Sequence, residues 1–364
     1  MRLERLRIQG LRCLDDVALE LGPGLHVLTG ANGAGKTSVL EAAYLLSHAR
    51  SFRQGSRDAL LQRGALALSV YGEWRYDDGR TVRAGLGRKG ARWEARLDGE
   101  SVNLGQLVQA CAVVCFEPGS HALIAGVADE RRRFLDWGVF HVEHEFLLAW
   151  RRYQRALKQR NSLLRNLPSG EDPLFEPWER ELAQSGEAID AWRQQYLRCL
   201  FPHLQMHVKR LVPELGPLEC RYRRGWTDEL PLSAVLIEQR GRDLSRGHTT
   251  QGPHRADWSL SFAQAPLREH LSRGQEKLVA LSCLLAQASL YAARQGEWPL
   301  VCLDDLASEL DLPHQAAVLE LLQESAAQVL ISGTAIPSSL CSTSVRVFHV
   351  EHGRILAAGT GQGE

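Results

Sequence analysis

Residues Gly30, Ala31, Asn32, Gly33, Ala34, Gly35, Lys36 and Thr37 satisfy the spacing G-x-x-x-x-G-K-[ST]. Glycines in such a loop let backbone N–H groups close around phosphate oxygens, and a helix N-terminus adds partial positive charge. Lys36 is placed to reach the β- and γ-phosphates of ATP, Thr37 to ligate Mg²⁺, and Ser38 completes the set. Far downstream the apolar run Leu300–Leu303 ends in Asp304 and Asp305. Carboxylates at the end of a parallel strand suit a metal site, so Asp304 joins Thr37 as a candidate Mg²⁺ ligand. Asp305 is the candidate to orient or deprotonate a water, and Lys36, Asp304 and Asp305 form the candidate catalytic set. Ser272, Arg273, Gly274 and Gln275 open a later helix and make a second anion site. Asp311 closes a Ser308-Glu309-Leu310-Asp311 run beside the acid pair.

These groups need rigid elements behind them. GPGLHVLTG (22–30) reads as a short buried strand, and Val39, Leu40, Ala43 and Leu46 carry helical spacing after it. Residues 66–104 alternate and are split by Asp-Asp-Gly and Gly-Arg-Lys-Gly turns, which predicts an antiparallel meander. From about 129 to 210 the period becomes helical, with Phe146, Trp150, Tyr153, Leu157 and Leu164 on one side of the breaker 168–177. Leu182, Ile189, Trp192 and Tyr196 follow it, giving a compact helical hairpin. After 247 strands and helices alternate again, through 257–262, 275–294, PLVCLDD, 313–325, QVLISG and a final strand pair. The expected layout is an α/β head of residues 1–128 plus 245–364, with an inserted helical arm, lobe II, at 129–244.

Lys+Arg and Asp+Glu both total 43, so an acidic partner such as nucleic acid must meet a local patch. The eight scattered cysteines form no CxxC pair, which fits thiols in a reducing compartment. Without an apolar signal core or membrane-length run, a cytoplasmic protein with no membrane partner is expected. The histidine pairs 141/144, 203/207 and 349/352 lack further ligands for zinc.

The P-loop, LSRGQ, LDD and SELD, in that order, resemble the ABC-type ATPase heads of the SMC and DNA-repair group. The blocks GANGAGKTSVLEAAYLLSHARSFR (30–53), DERRRFLDWGVFHVE (129–143), TTQGPHRADW (249–258), LSRGQEKLVAL (271–281) and LDDLASELD (303–311) narrow the resemblance to the RecF family. The short stretch between Lys36 and Ser272 leaves no room for the long coiled coils of SMC proteins. The resemblance implies that Ser272, Arg273 and Gly274 of one copy cover the ATP of another, with Asp311 at the junction. ATP would then assemble a homodimer, and weak, DNA-stimulated hydrolysis would release it. The implied task is DNA repair and replication restart: loading recombinase at single-strand gaps and double-strand/single-strand junctions, with SOS induction and RecR- and RecO-like partners.

Three places depart from the family pattern. Glu117-Pro118-Gly119-Ser120 stands where a Pro-acid-acid run is usual, Ala256 replaces an acid, and Gly333-Thr334 follows QVLIS where many ABC ATPases have histidine. Gly252, His254 and Arg255 are carried over from the GPHR block, and Thr334 is either a phosphate contact or a strand-end turn. Residues 131–165 carry nine Lys/Arg against three acids, so Arg151, Arg152, Arg155 and Lys158 are candidate DNA contacts. Arg75–Arg96 is a second basic stretch. Other classes sharing the phosphate motifs are an energising subunit of another ABC system and a stand-alone NTPase.

Overall fold

The computed structural model describes residues 1–53, 55, 57–166, 173–340 and 345–361. The chain divides into two compact units, one of residues 1–121, 206–213 and 273–364, the other of 122–205 and 214–272.

The first unit carries two six-stranded sheets. In the antiparallel one, β1 (Arg2–Leu11) and β2 (Leu14–Glu20) join β4 (Ala67–Arg75), β5 (Thr81–Lys89), β6 (Arg92–Leu97) and β7 (Glu100–Val102). The expected meander is β4 to β7, and the alternation of β4 buries Leu68, Val70 and Trp74 on one face. The second sheet centres on β3 (Leu25–Thr29). Its other strands are β8 (Val113–Phe116), β11 (Leu300–Leu303), β12 (Val329–Ser332), β13 (Val345–Glu351) and β14 (Arg354–Gly361). Their order is β14-β13-β3-β12-β11-β8, parallel throughout except for the β13–β14 hairpin. β8, β11 and β12 are buried at every position, as parallel strands covered on both faces require. Buried Gln328 ties the sheets together: it accepts from Leu3 N at 2.7 Å and donates to Leu3 O at 2.9 Å and Gly22 O at 2.7 Å.

The second unit holds the helices Ala128–Val142 and Phe146–Asn166, the longer part of the helix Phe175–Leu211, two short helices at Leu232–Glu238 and Arg240–Arg246, and a two-stranded sheet. That sheet pairs β9 (Leu218–Arg223) with β10 (Asp257–Phe262). The pairing keeps 245–272 in the second unit, whereas the sequence reading placed those residues in the head. Residues 206–213 go the other way, because His207 meets Ser289 Oγ at 2.8 Å and Arg210 pairs with Glu320 and Glu324. Charge is buried here as well. Arg160 is fully enclosed and bonds Glu179 at 3.0 Å, Asp243 at 2.7 Å, Thr249 Oγ1 at 2.8 Å and Leu236 O at 3.1 Å.

His254 also belongs to this interior. Its Nε2 faces Thr249 O at 3.1 Å and must donate, so Nδ1 accepts from the Tyr153 hydroxyl at 2.6 Å. Burial pushes the imidazole down to about 4, opposed by the hydrogen bond to the Thr249 carbonyl and by Asp243, and helped by Arg255 and Arg132 nearby. A depressed histidine leaves the unfolded chain holding more protons between pH 4 and 6.5. Stability from this group is therefore full above pH 6.5 and lost as pH falls through 4, by about 3 kcal/mol. Urea titrations across that window should show the loss, and His254→Gln should flatten it. An equally steep profile in the variant would assign the effect to other groups.

Candidate functional site

The loop 30–37 leaves the C-terminal end of β3 and opens the helix Lys36–His48. Gly30 sits at φ 144°, and a Cβ there would lie 2.1 Å from Val350 O of β13. Gly35, at φ 118°, is packed against Leu14 Cδ2 and Cys13 Sγ, where a Cβ would come within 2.8 and 3.1 Å. Only glycine fits either position. The loop is pinned again where Gly353 N donates to Ala34 O at 2.9 Å, while Ala31, Asn32 and Gly33 remain exposed at its tip. Gly35 caps the helix without a side-chain hydrogen bond, and a helix start of this kind favours an anion.

Lys36 is buried and donates to Gly30 O at 2.7 Å and Ala31 O at 2.9 Å, so its ammonium bridges the mouth of the loop. Thr37 Oγ1 donates to Asp304 Oδ1 at 2.8 Å, and Ser332 Oγ donates to the same oxygen at 2.5 Å. Burial pushes the Asp304 carboxyl up, opposed by these two hydroxyls and by the Arg53 charge. Asp305 takes a left-handed backbone, φ 51°, and its N–H donates to Ser332 Oγ at 3.0 Å. Lys36, Thr37, Asp304 and Asp305 thus come together through parallel strands from distant parts of the chain. A glycine cradle, a bridging ammonium and a hydroxyl–carboxylate pair of hard oxygen donors fit a nucleotide triphosphate with Mg²⁺.

Two residues enter this group that motif reading did not assign. Ser332 ends β12, directly beside β11. Glu117 follows β8, where Phe116 is in register with Leu303 and Asp304 N donates to Phe116 O at 2.8 Å. Burial raises the Glu117 carboxyl and the Asp304 charge adds to this, while the Gly119 N–H at 2.7 Å stabilises the anion. Glu117 thus brings a carboxylate whose charge acts on Asp304, one residue before Pro118 rather than after it.

Ser272, the last residue of the second unit, and Arg273 and Gly274, at the start of the helix Arg273–Gln295, are exposed, with Gln275 partly covered. Arg273 and Gly274 make no hydrogen bond to the loop 30–37 among the described residues. Lys277, one turn on, pairs with Glu309 at 2.8 Å. Asp311 caps the helix Leu312–Glu324 through His314 N at 3.0 Å, and shares a cleft of about 610 Å³ with exposed Thr334. Gly252 and His254 of the GPHR block are packing residues of the second unit, and Arg255 is exposed.

The basic stretch 131–165 sorts by burial and pairing. Arg131 pairs with Asp257 at 2.7 Å, Arg132 with Asp129 at 3.4 Å, Arg133 with Glu130 at 2.8 Å and Arg152 with Glu181 at 3.0 Å. Arg160 is interior. Arg151, Arg155, Lys158 and Arg165 are exposed on the helix Phe146–Asn166, with Arg155 lying 5.9 Å from the Trp178 ring centre. In the second basic stretch Arg75 pairs with Glu4, Arg80 with Asp78, Arg92 with Glu94, and buried Arg88 with Asp58.

The model of the RecF/RecN/SMC N-terminal domain matches residues 2–355. The DNA replication and repair protein RecF of Stenotrophomonas maltophilia (strain R551-3) is 50% identical over 366 residues, covering 98% of this chain and 100% of its own. The chain belongs to the RecF family. RecF of Stutzerimonas stutzeri (strain A1501) is 39% identical over 365 residues, covering 98% of this chain and 97% of its own. A solved structure of the recombination mediator protein RecF with ATP, from the RecFOR pathway, has a TM-score of 0.87 at 25% identity, covering 98% and 97%. An Smc head bound to the C-terminal winged-helix domain of ScpA has a TM-score of 0.59 at 14% identity, covering 99% and 98%, and shares the fold alone. The α/β architecture of this RecF-family chain is thus that of the RecF and SMC ATPase heads. No helix among the described residues is long and apolar enough to cross a membrane.

Proposed function

We propose that this RecF-family chain is an ATP-operated DNA clamp acting in recombinational repair and replication restart. The observation that carries the reading is the meeting of Thr37 and Asp304 at 2.8 Å beneath a glycine cradle bridged by Lys36. Lys36 and the uncapped helix start would hold the phosphates, and Thr37 and Asp304 would hold Mg²⁺, which supplies charge neutralisation when bound. Asp305 orients the water that attacks the γ-phosphate and accepts its proton. Ser272, Arg273, Gly274 and Gln275 of a second copy close over the nucleotide, with Asp311 at the junction, so that ATP joins two chains and slow, DNA-stimulated hydrolysis parts them. Arg151, Arg155 and Lys158 contact the phosphate backbone of gapped or junction DNA, whereas Arg152 is already engaged by Glu181. Membership of the RecF family supports RecR- and RecO-like mediators, recombinase loading and SOS induction as parts of this reading.

Sedimentation with and without ATP and gapped DNA, across a salt series, tests the reading. ATP should convert monomer to dimer, and DNA binding should weaken steeply with salt. A chain that stays monomeric with ATP and whose turnover ignores DNA would instead be a stand-alone NTPase.

A further inference from the structure

The helix Phe146–Asn166 contains no acidic residue. Its exposed cations Arg151, Lys158 and Arg165 recur every seven residues, with Arg155 one turn after the first, so they share one side of the helix. That side lies opposite Arg160, whose guanidinium turns inward to Asp243 of the helix Arg240–Arg246 at 2.7 Å. The bond fixes the two helices together. It also consumes the only acid of the shorter helix, leaving Arg242 and Arg246 exposed one turn apart. The two basic rows adjoin: Arg165 Cγ lies 3.3 Å from where a Cβ on Gly247 would stand, and Gly247, at φ 68°, is the residue after Arg246.

We infer that Arg165, Arg242 and Arg246 continue the row of Arg151, Arg155 and Lys158 into one two-helix ridge that binds the sugar-phosphate backbone of DNA. The inference rests on the clamp reading and extends its contact surface to a helix that motif reading left unassigned. In a chain of zero net charge, a ridge without an exposed carboxylate on either helix concentrates positive potential at one place. Arg155, Lys158, Arg165, Arg242 and Arg246 form no ion pair among the described residues, so their charge is available to a ligand. From Arg151 to Arg165 the row is about 21 Å long at the helical rise, a span that passes several successive phosphates. An anionic membrane is the poorer match. Leu148 and Trp150, both near the start, are the large apolar side chains exposed on this helix, and the rest of the row runs past buried Tyr153 and Leu164 with no apolar face to insert.

The test uses the full chain with gapped duplex of arbitrary sequence, across a potassium chloride series, with and without ATP. Arg165→Ala, Arg242→Ala and Arg246→Ala should each reduce affinity about eightfold at 0.1 M salt and lower the log–log salt slope by about 0.9. Together they should remove two to three such contacts, leaving thermal unfolding and ATP-driven dimerisation unchanged. Arg63→Ala, which deletes an exposed cation of the first unit, should leave affinity unaltered. If the triple variant binds as wild type while Arg151→Ala, Arg155→Ala and Lys158→Ala together abolish binding, the two-helix ridge is wrong and the clamp stands. Wild-type protein that ignores DNA in every nucleotide state overturns both. Loss of binding to phosphatidylserine vesicles, with DNA affinity retained in the triple variant, assigns the ridge to membranes and overturns the inference.

Discussion

Asp305→Asn should slow ATP turnover by about 10²–10⁴-fold while leaving ATP-driven self-association intact and longer-lived. The substitution is clean for a backbone reason. Asp305 holds φ 51°, a left-handed conformation that asparagine, like aspartate, adopts more readily than other L residues. Its N–H keeps the bond to Ser332 Oγ, so the oxygens of Asp304, Thr37 and Ser332 stay where they are. What disappears is a carboxylate able to take a proton from water. Phosphate release in a single turnover, read beside sedimentation with ATP, separates the steps. Undiminished turnover would move the base elsewhere, with Glu117, whose charge acts on Asp304, the next carboxylate to replace. Loss of the dimer would make Asp305 a binding residue rather than a catalytic one.

Lys36→Met should lower nucleotide affinity by about a hundredfold, the scale of losing charge-assisted hydrogen bonds to phosphate. Methionine is apolar and flexible enough to fill the buried course of the lysine stem, so the fold should survive. Lys36→Arg should fare little better, because the seat between Gly30 O and Ala31 O fits a compact ammonium rather than a planar fork. Calorimetric titration with ATP measures the affinity directly. Sedimentation of the variant should then show no shift on adding ATP, and tight DNA binding should vanish with it. A wild-type shift in either variant would sink the idea that nucleotide joins the two chains.

The proximity of Thr37 to Asp304 is legible in sequence once the P-loop and the apolar run 300–303 are read together, because parallel strands present their ends on one side. Ser332 is not, since a serine at a strand end carries no pattern until strand order is known. Glu117 hides for the same reason, with the added disguise of a shifted proline. Counting charge between 131 and 165 treats Arg160 as surface. Helical phase, which sets it with Tyr153, Ala156 and Leu164, identifies it as interior. The boundary drawn at 245 differs from the division by contacts, which keeps 245–272 with the second unit because β10 pairs with β9, a strand the helical pattern before it gave no reason to expect.

β3, which carries the loop 30–37, has β12 and β13 as its two neighbours, contributed by residues 329–332 and 345–351, and the loop itself is braced by Val350 and Gly353. In translation order the loop precedes every one of these braces. Gly30 and Ala34 therefore have nothing to close against until the chain has passed Gly353, and truncation before that residue should leave the loop unbraced.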